Sequence, residues 1–242
     1  MMTSCASSDG SFTPSVCRTR VLGIARWGLL ILLIAVLPLA RRLPERSSWE
    51  NGWVEETQIA ILLIGFFHAA WTWSGLRRMP ASRRATGCTA TLRLSLIAMA
   101  FWLMCAGRET SWGATFLTRG VMEVDGPYFT SSKLWYHMAI KPLVLGAVAV
   151  AGVAFLRWRL DRPLVALMRR HRFPWVEVLL VAGAAAMATL SESSMFFEAH
   201  ETEALRMMVE ELAEAVCYLG LLLVQVRLFG ELRGIRVPLG AE

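Results

Sequence analysis

Six stretches of roughly 20 mostly apolar residues follow one another along the chain and limit the folds open to it. A helix of about 20 residues rises about 30 Å, the thickness of the hydrocarbon core of a bilayer. Inside hydrocarbon the backbone must satisfy its own hydrogen bonds, and a helix does so within one segment. We therefore predict an all-α polytopic membrane helix bundle with about six transmembrane helices, near residues 21–40, 54–76, 87–107, 137–156, 174–191 and 208–228.

Composition points to the same class of protein. Of the 242 residues, 55% are hydrophobic and 18% are charged, whereas soluble domains average about 25% charged residues. We assign the helix bundle to residues 21–228. The Ser- and Thr-rich start is expected to be a disordered cytoplasmic tail over 1–20, and 229–242 a cytoplasmic C-terminal tail.

The basic residues predict the orientation, because Lys and Arg in short loops stay in the cytoplasm. With the N-terminus inside, cytoplasmic segments hold fifteen arginines and the opposite segments hold seven basic residues. This places both termini in the cytoplasm, and we expect a multi-pass protein of a bacterial inner membrane. The arginines lie between spans, so no nucleic acid partner is expected. Membrane lipids are the expected partners, with anionic lipid contact at the arginine-rich loop 157–173.

Acidic residues show the opposite bias: fourteen of the nineteen fall on the predicted periplasmic side. On the last span Glu211 and Glu214 share one helix face with Tyr218 and Gln225. Ionisable groups inside a membrane are costly and are usually paired or functional. We predict that carboxylates converge near the periplasmic face as catalytic acid and base groups: Glu55, Glu109, Glu211 and Glu214.

Other polar residues near this level complete the predicted site. Arg108, Trp112 and Lys141 are the expected substrate-binding residues. His137 and His200 are the candidate metal ligands, so a divalent metal is the candidate cofactor.

Two structural interpretations compete with a site. An acid in the first turn of a helix is favoured by the helix dipole by about 0.3–1 kcal/mol, which explains Glu56 and Glu210 if both Val-Glu-Glu stretches begin helices. Alternatively, the acids form a salt-bridge cluster that holds the helices together. His68, in the middle of the second span, fits a neutral imidazole bonded to a neighbouring helix.

Two short motifs carry a resemblance. Glu109, Ser111, Trp112 and Gly113, with the acids Glu210, Glu211 and Glu214, are the matching residues. They resemble uncharacterised bacterial multi-pass inner-membrane proteins, which carry an E-E-x-S-W-G-Q stretch after a transmembrane helix and an E-E-x-x-E start to a late helix. Here Arg108 replaces the first acid and Ala114 replaces the glutamine. The resemblance implies a membrane location and no particular activity.

Three functions stay open at this point. The chain is a membrane-embedded enzyme acting on a lipid-linked substrate, a small ion- or proton-coupled transporter, or a structural subunit without catalysis. The two Val-Glu-Glu helices are the second and sixth spans and run in the same direction, which does not match an inverted repeat of a transporter. No nucleophile or strong metal motif is recognisable, which weakens the enzyme hypothesis as well.

Overall fold

A computed structural model describes residues 16–44, 47, 49, 52–80, 85–117, 121–123, 126–192 and 203–234. These residues form eight α-helices and a short β-hairpin, so the predicted all-helical bundle is confirmed. The hairpin pairs β1 (Val121–Glu123) with β2 (Gly126–Tyr128) in antiparallel register. The helices are α1 Val16–Ala40, α2 Trp53–Arg77, α3 Thr86–Glu109, α4 Ala114–Leu117, α5 His137–Arg157, α6 Asp161–Arg169, α7 Trp175–Glu192 and α8 Glu203–Arg233.

Five of the helices in the described ranges are long and apolar enough to cross a membrane: α1, α2, α3, α5 and α8. The remaining predicted span corresponds to α7, whose apolar part Trp175–Ser191 is shorter. Large apolar side chains such as Trp71, Leu145 and Leu179 are exposed on the bundle surface. Exposed apolar surface of this kind fits a membrane-embedded protein.

Helix α8 is central, because α1, α2, α3, α6 and α7 all pack against it. One apolar core joins α1, α7 and α8 around Leu29, Ala184 and Ala213. A second joins α2, α3 and α8 around Leu62, Trp102 and Tyr218. In contrast, α5 has no buried residue and contacts the bundle mainly through α3.

Glycine allows the close packing of α2 against α3. A Cβ atom built on Gly65 would lie 2.4 Å from the Trp102 ring, which is closer than two carbon atoms can approach. Any larger residue would push α3 away. Because Gly65 has no side chain, the Trp102 ring of α3 packs directly against α2, and from there its Nε1 reaches Gln225 of α8.

The predicted boundaries differ from the structure in three places. Helix α8 begins at Glu203, earlier than predicted, so Glu210 and Glu211 lie in its third turn. The predicted loop 157–173 contains α6, whose Leu167 is buried against Leu232 of α8. Helix also extends into both predicted tails, because α1 begins at Val16 and α8 ends at Arg233. The rest of those tails, 1–15 and 235–242, lies outside the described residues.

Candidate functional site

The predicted acids meet at the end of the bundle where α2 begins and α3 ends, here called the acidic end. Glu55 and Gln58 come from the first turns of α2, and Glu109 is the last residue of α3. Helix α8 contributes Glu211 and Glu214. Because α2 and α8 run in one direction and α3 runs in the other, these positions reach the same level. The acidic site consists of Glu55, Gln58, Arg108, Glu109, Glu211, Glu214 and Tyr218.

Arg108 and Tyr218 connect two of the carboxylates. Nη2 of Arg108 donates to Oε1 of Glu214 at 2.5 Å, and Nη1 donates to the hydroxyl of Tyr218 at 3.4 Å. That hydroxyl donates in turn to Oε1 of Glu109 at 2.6 Å. Arg108 Nη1 also lies 3.8 Å from the same Glu109 oxygen. One guanidinium is thus shared between two carboxylates.

Glu211 has a different kind of partner. Nε2 of Gln58 donates to Oε2 of Glu211 at 2.9 Å and to its backbone carbonyl at 2.8 Å. Gln58 is fully buried, and its Oε1 has no hydrogen-bond partner within the described part of the chain. Glu55 is buried and interacts electrostatically with Glu109 and Glu211. Glu211 is therefore bonded to a neutral amide and lies among other acids.

The helix-dipole interpretation fits one of the two Val-Glu-Glu stretches. Glu56 lies in the first turn of α2 and is exposed, as a surface charge at a helix start would be. Glu210 and Glu211 lie in the third turn of α8, and the dipole effect fades within the first turn. The expectation that both stretches begin helices is wrong for the second, so the dipole does not explain Glu210 or Glu211.

A cavity of about 190 Å³ lies beside the acidic site, between α3, α7 and α8. Arg108, Glu214 and Tyr218 form its polar wall together with Glu210. Ala185, Ala188 and Thr189 of α7 form the opposite wall. The volume is below the roughly 300–1,000 Å³ of typical small-molecule pockets. It fits water, an ion or one small group better than a whole substrate molecule.

Comparisons with protein-family models, with curated proteins and with solved structures gave no match.

Trp112 closes the end of α3. Ser111, Trp112 and Gly113 all have positive φ, of 46°, 57° and 92°, and form a tight turn directly after the helix. A Cβ on Gly107 would lie 2.9 Å from the Trp112 ring, so the indole packs directly against this glycine. The hydroxyl of Tyr136 donates to the Trp112 carbonyl at 2.7 Å. The indole is not among the residues that line the cavity, so its predicted substrate contact stays a prediction.

Two other predicted ligands, Lys141 and His137, make no described contact with the acidic site. Lys141 is exposed on α5, and His137 is half-buried at the first residue of that helix. His200 lies outside the described residues. Across the ranges that the structure describes, no group of three His, Cys, Asp or Glu side chains could hold a metal ion. The role of His137 and His200 as metal ligands stays a prediction.

A second ionic group lies toward the opposite end of the bundle, and the sequence interpretation missed it. Glu177 of α7 is fully buried, and its Oε1 accepts from Arg26 Nε at 3.0 Å, Arg26 Nη2 at 2.9 Å and Arg227 Nη1 at 2.5 Å. Its Oε2 has no hydrogen-bond partner among the residues described. We call Arg26, Glu177 and Arg227 the arginine cluster. The available signal was Arg26, an arginine inside an otherwise apolar span.

Proposed function

We propose that the protein is a multi-pass membrane protein whose acidic site binds and releases a proton or a small cation. The observation that supports this most is the charge balance. Glu109 and Glu214 share the guanidinium of Arg108. Glu211 interacts electrostatically with both acids, and its side-chain hydrogen bond comes from the neutral Gln58. Neighbouring carboxylates whose side chains are mostly buried, as those of Glu109 and Glu214 are, repel one another. A bound proton or cation relieves that repulsion.

Glu211 is the residue to which we assign the exchange. The charge of Glu214 is balanced by Arg108, and Glu109 accepts from Tyr218 while lying near the same guanidinium. The side-chain hydrogen bond of Glu211 comes from Gln58, which carries no charge. A proton arriving at Glu211 therefore removes repulsion without breaking an ion pair. The same binding step serves a proton-coupled or ion-coupled transporter.

A dicyclohexylcarbodiimide assay tests this assignment, because carbodiimides react with protonated carboxyl groups in apolar surroundings. The full chain in lipid nanodiscs is treated at several pH values, and the modified peptides are identified by mass spectrometry. We expect an adduct on Glu211 that decreases as the pH rises or as Na⁺ or Ca²⁺ is added. Glu211→Gln should remove the adduct while the protein stays monodisperse.

Glu56 provides the matched control, because it is an exposed glutamate at the same end of the bundle. Glu56→Gln should leave the adduct unchanged. Glu210 is a poorer control, since it lines the cavity beside Glu214. Equal labelling of Glu56 and Glu211, at rates that ignore both pH and cations, would contradict the proposal.

The cavity favours a second candidate function. Arg108, Glu214 and Tyr218 present an anion-binding group, a carboxylate and a hydroxyl to one space. These groups suit acid–base chemistry on the polar end of a lipid-linked substrate, whose apolar chain would stay in the bilayer. A Glu214→Gln variant that keeps the Glu211 adduct but loses turnover of such a substrate would favour this enzyme over a transporter.

We also propose an orientation and a lipid partner. The excess of arginine on the α6 side supports cytoplasmic termini, a periplasmic acidic end and a bacterial inner membrane, as the resemblance to bacterial inner-membrane proteins also suggests.

Leu167 holds α6 against α8, and six arginines around it are exposed. Such a surface suits anionic lipid headgroups. The six are Arg157, Arg159, Arg162, Arg169, Arg170 and Arg172.

A further inference from the structure

Helices α2 and α8 are joined by polar contacts along most of their paired length. Near the acidic end Gln58 binds Glu211, in the middle His68 binds Gln225, and further along Thr72 accepts from Arg233 at 3.0 Å. Gln58 and Thr72 are fourteen residues apart on α2, which corresponds to about 21 Å at 1.5 Å per residue. These contacts form a polar seam that crosses most of a hydrocarbon core of about 30 Å.

The middle of the seam has a defined hydrogen-bond direction. Nε1 of Trp102 can only donate, and it donates to Oε1 of Gln225 at 2.6 Å. The amide nitrogen of Gln225 therefore faces α2, where it donates to the Gly65 carbonyl at 3.0 Å and to Nδ1 of His68 at 2.8 Å. Nδ1 of His68 thus accepts, and the neutral ring carries its proton on Nε2.

An apolar layer separates His68 from the acidic site. Tyr218 and Gln225 are seven residues apart on α8, or about 10 Å. Leu62 is fully buried in this interval, with Leu221 and Leu222 packed beside it. Protons do not cross such a layer without water. The layer therefore prevents free leakage between the acidic site and the middle of the seam.

Polar contacts between membrane helices also serve as plain structural links. A structural link needs hydrogen-bonding groups, and an amide or hydroxyl is sufficient. The seam instead carries titratable groups at two levels, the carboxylates with Tyr218 and the imidazole of His68. Groups of α8 that face His68 include Gln225 and the stacked ring of Phe229, and the charged residue next along α8 on this seam is Arg233.

From these contacts we infer that the seam is a proton pathway, in which His68 passes protons between the acidic site and the opposite end of the bundle. This inference rests on the proposed proton exchange at Glu211. The Gln225 amide first turns away from Nδ1 of His68, which then takes up a proton from a transient water in the apolar layer, and the Nε2 proton leaves to water on the other side. The ring is neutral but in the other tautomer, and a ring flip restores the starting tautomer and the contact with Gln225. One proton has then crossed, and no other reactant is consumed.

Proton flux into sealed vesicles tests the pathway. The full chain is reconstituted in phosphatidylcholine vesicles that contain the pH dye pyranine, and a K⁺ gradient with valinomycin sets the voltage. We expect flux above that of empty vesicles. His68→Asn keeps a hydrogen-bond acceptor for Gln225 but does not titrate, so flux should fall at least fivefold. His171→Asn, at an exposed histidine outside the seam, should match the wild type.

A second variant, which is expected to increase the proton flux, keeps the test independent of any folding defect in His68→Asn. Leu62→Ala thins the apolar layer, so flux should rise at least twofold. Wild-type flux no higher than that of empty vesicles would overturn the pathway, and so would unchanged flux in both variants. If carbodiimide still labels Glu211 in those cases, the acidic site stands without the pathway. Flux without any Glu211 adduct would instead reject the exchange at Glu211.

Discussion

The acidic site and the arginine cluster both place ionic groups among apolar helices, but with opposite charge ratios. At the acidic site Glu109 and Glu214 share one guanidinium, that of Arg108, and Glu211 lies beside them, hydrogen-bonded to Gln58. In the arginine cluster two guanidiniums share the one carboxylate of Glu177. Glu177 has no exposed side-chain surface, while the side chain of Arg108 is 60% exposed. The carboxylate of Glu177 is fully neutralised by two bases, and the remaining positive charge lies on arginines that are partly exposed, which suits a structural role. Several carboxylates near one exposed guanidinium have an excess of negative charge, which suits reversible binding of a proton or a cation.

The largest expected effect comes from breaking the arginine cluster. Glu177→Ala leaves Arg26 and Arg227 without their shared carboxylate among α1, α7 and α8. Losing one partner of a buried ion pair costs about 3–5 kcal/mol, and the partly exposed arginines place this case near about 3 kcal/mol. Reversible unfolding in mixed micelles with rising sodium dodecyl sulfate measures the free energy of unfolding.

Glu231→Ala is the control for this variant. Glu231 pairs with Arg172 at 3.7 Å, and both side chains are partly exposed. A pair of this kind contributes about 0–1 kcal/mol. If both variants lose the same free energy of unfolding, the arginine cluster is not the structural counterpart of the acidic site.

A smaller effect is expected from removing the base at the acidic site. Arg108→Gln leaves Glu214 and Glu109 without their guanidinium. Hydrogen bonds to charged groups contribute roughly 1.5–3 kcal/mol, and because the Arg108 side chain is 60% exposed we expect a smaller loss of about 1–2 kcal/mol at neutral pH. At acidic pH the carboxylates take up protons, repulsion between them disappears and part of the lost stability should return. Arg42→Gln, an exposed arginine at the same end, should change stability little at either pH. A loss that is independent of pH would argue against a site that accommodates protons.

The smallest effect on stability is expected at the α6 surface. Replacing its six exposed arginines with glutamine should lower the free energy of unfolding by less than about 1 kcal/mol. Each basic residue near an anionic membrane contributes about 1 kcal/mol of attraction, so co-purified anionic phospholipid, quantified by mass spectrometry, should fall severalfold. Arg41→Gln with Arg42→Gln, at the acidic end, should leave it unchanged. Lipid content that is equal in all three proteins would reject the lipid partner.

Sequence periodicity predicted much of the acidic site because two kinds of information were available. The predicted end of the third span indicated how far along the bundle Glu109 lies. The rotation of about 100° per helical residue placed Glu211, Glu214 and Tyr218 on one face of the last helix. Both are local properties of the chain. Contacts of Glu211 with Gln58, and of Glu109 with Tyr218, then follow from helices that end at the same level.

The arginine cluster could not be predicted in the same way. Arg26 and Glu177 are 151 residues apart, and nothing local to either indicates which helix the other faces. The turn after α3 was also missed, because the positive φ of Ser111 and Trp112 depends on contacts with Gly107 and Tyr136. Such features depend on tertiary packing, which an apolar pattern does not encode.

Helix α5 has a consequence for how this sequence tolerates change. It has no buried residue, and its apolar side chains, including Leu145 and Val150, face outward. Its residues have to dissolve in lipid and keep a helix, but few have to fit a protein neighbour. Exchanges among Leu, Val, Ile and Ala along α5 should therefore have little effect on stability in a mutational scan. On α8, which five helices contact, the same exchanges would alter packing at nearly every turn.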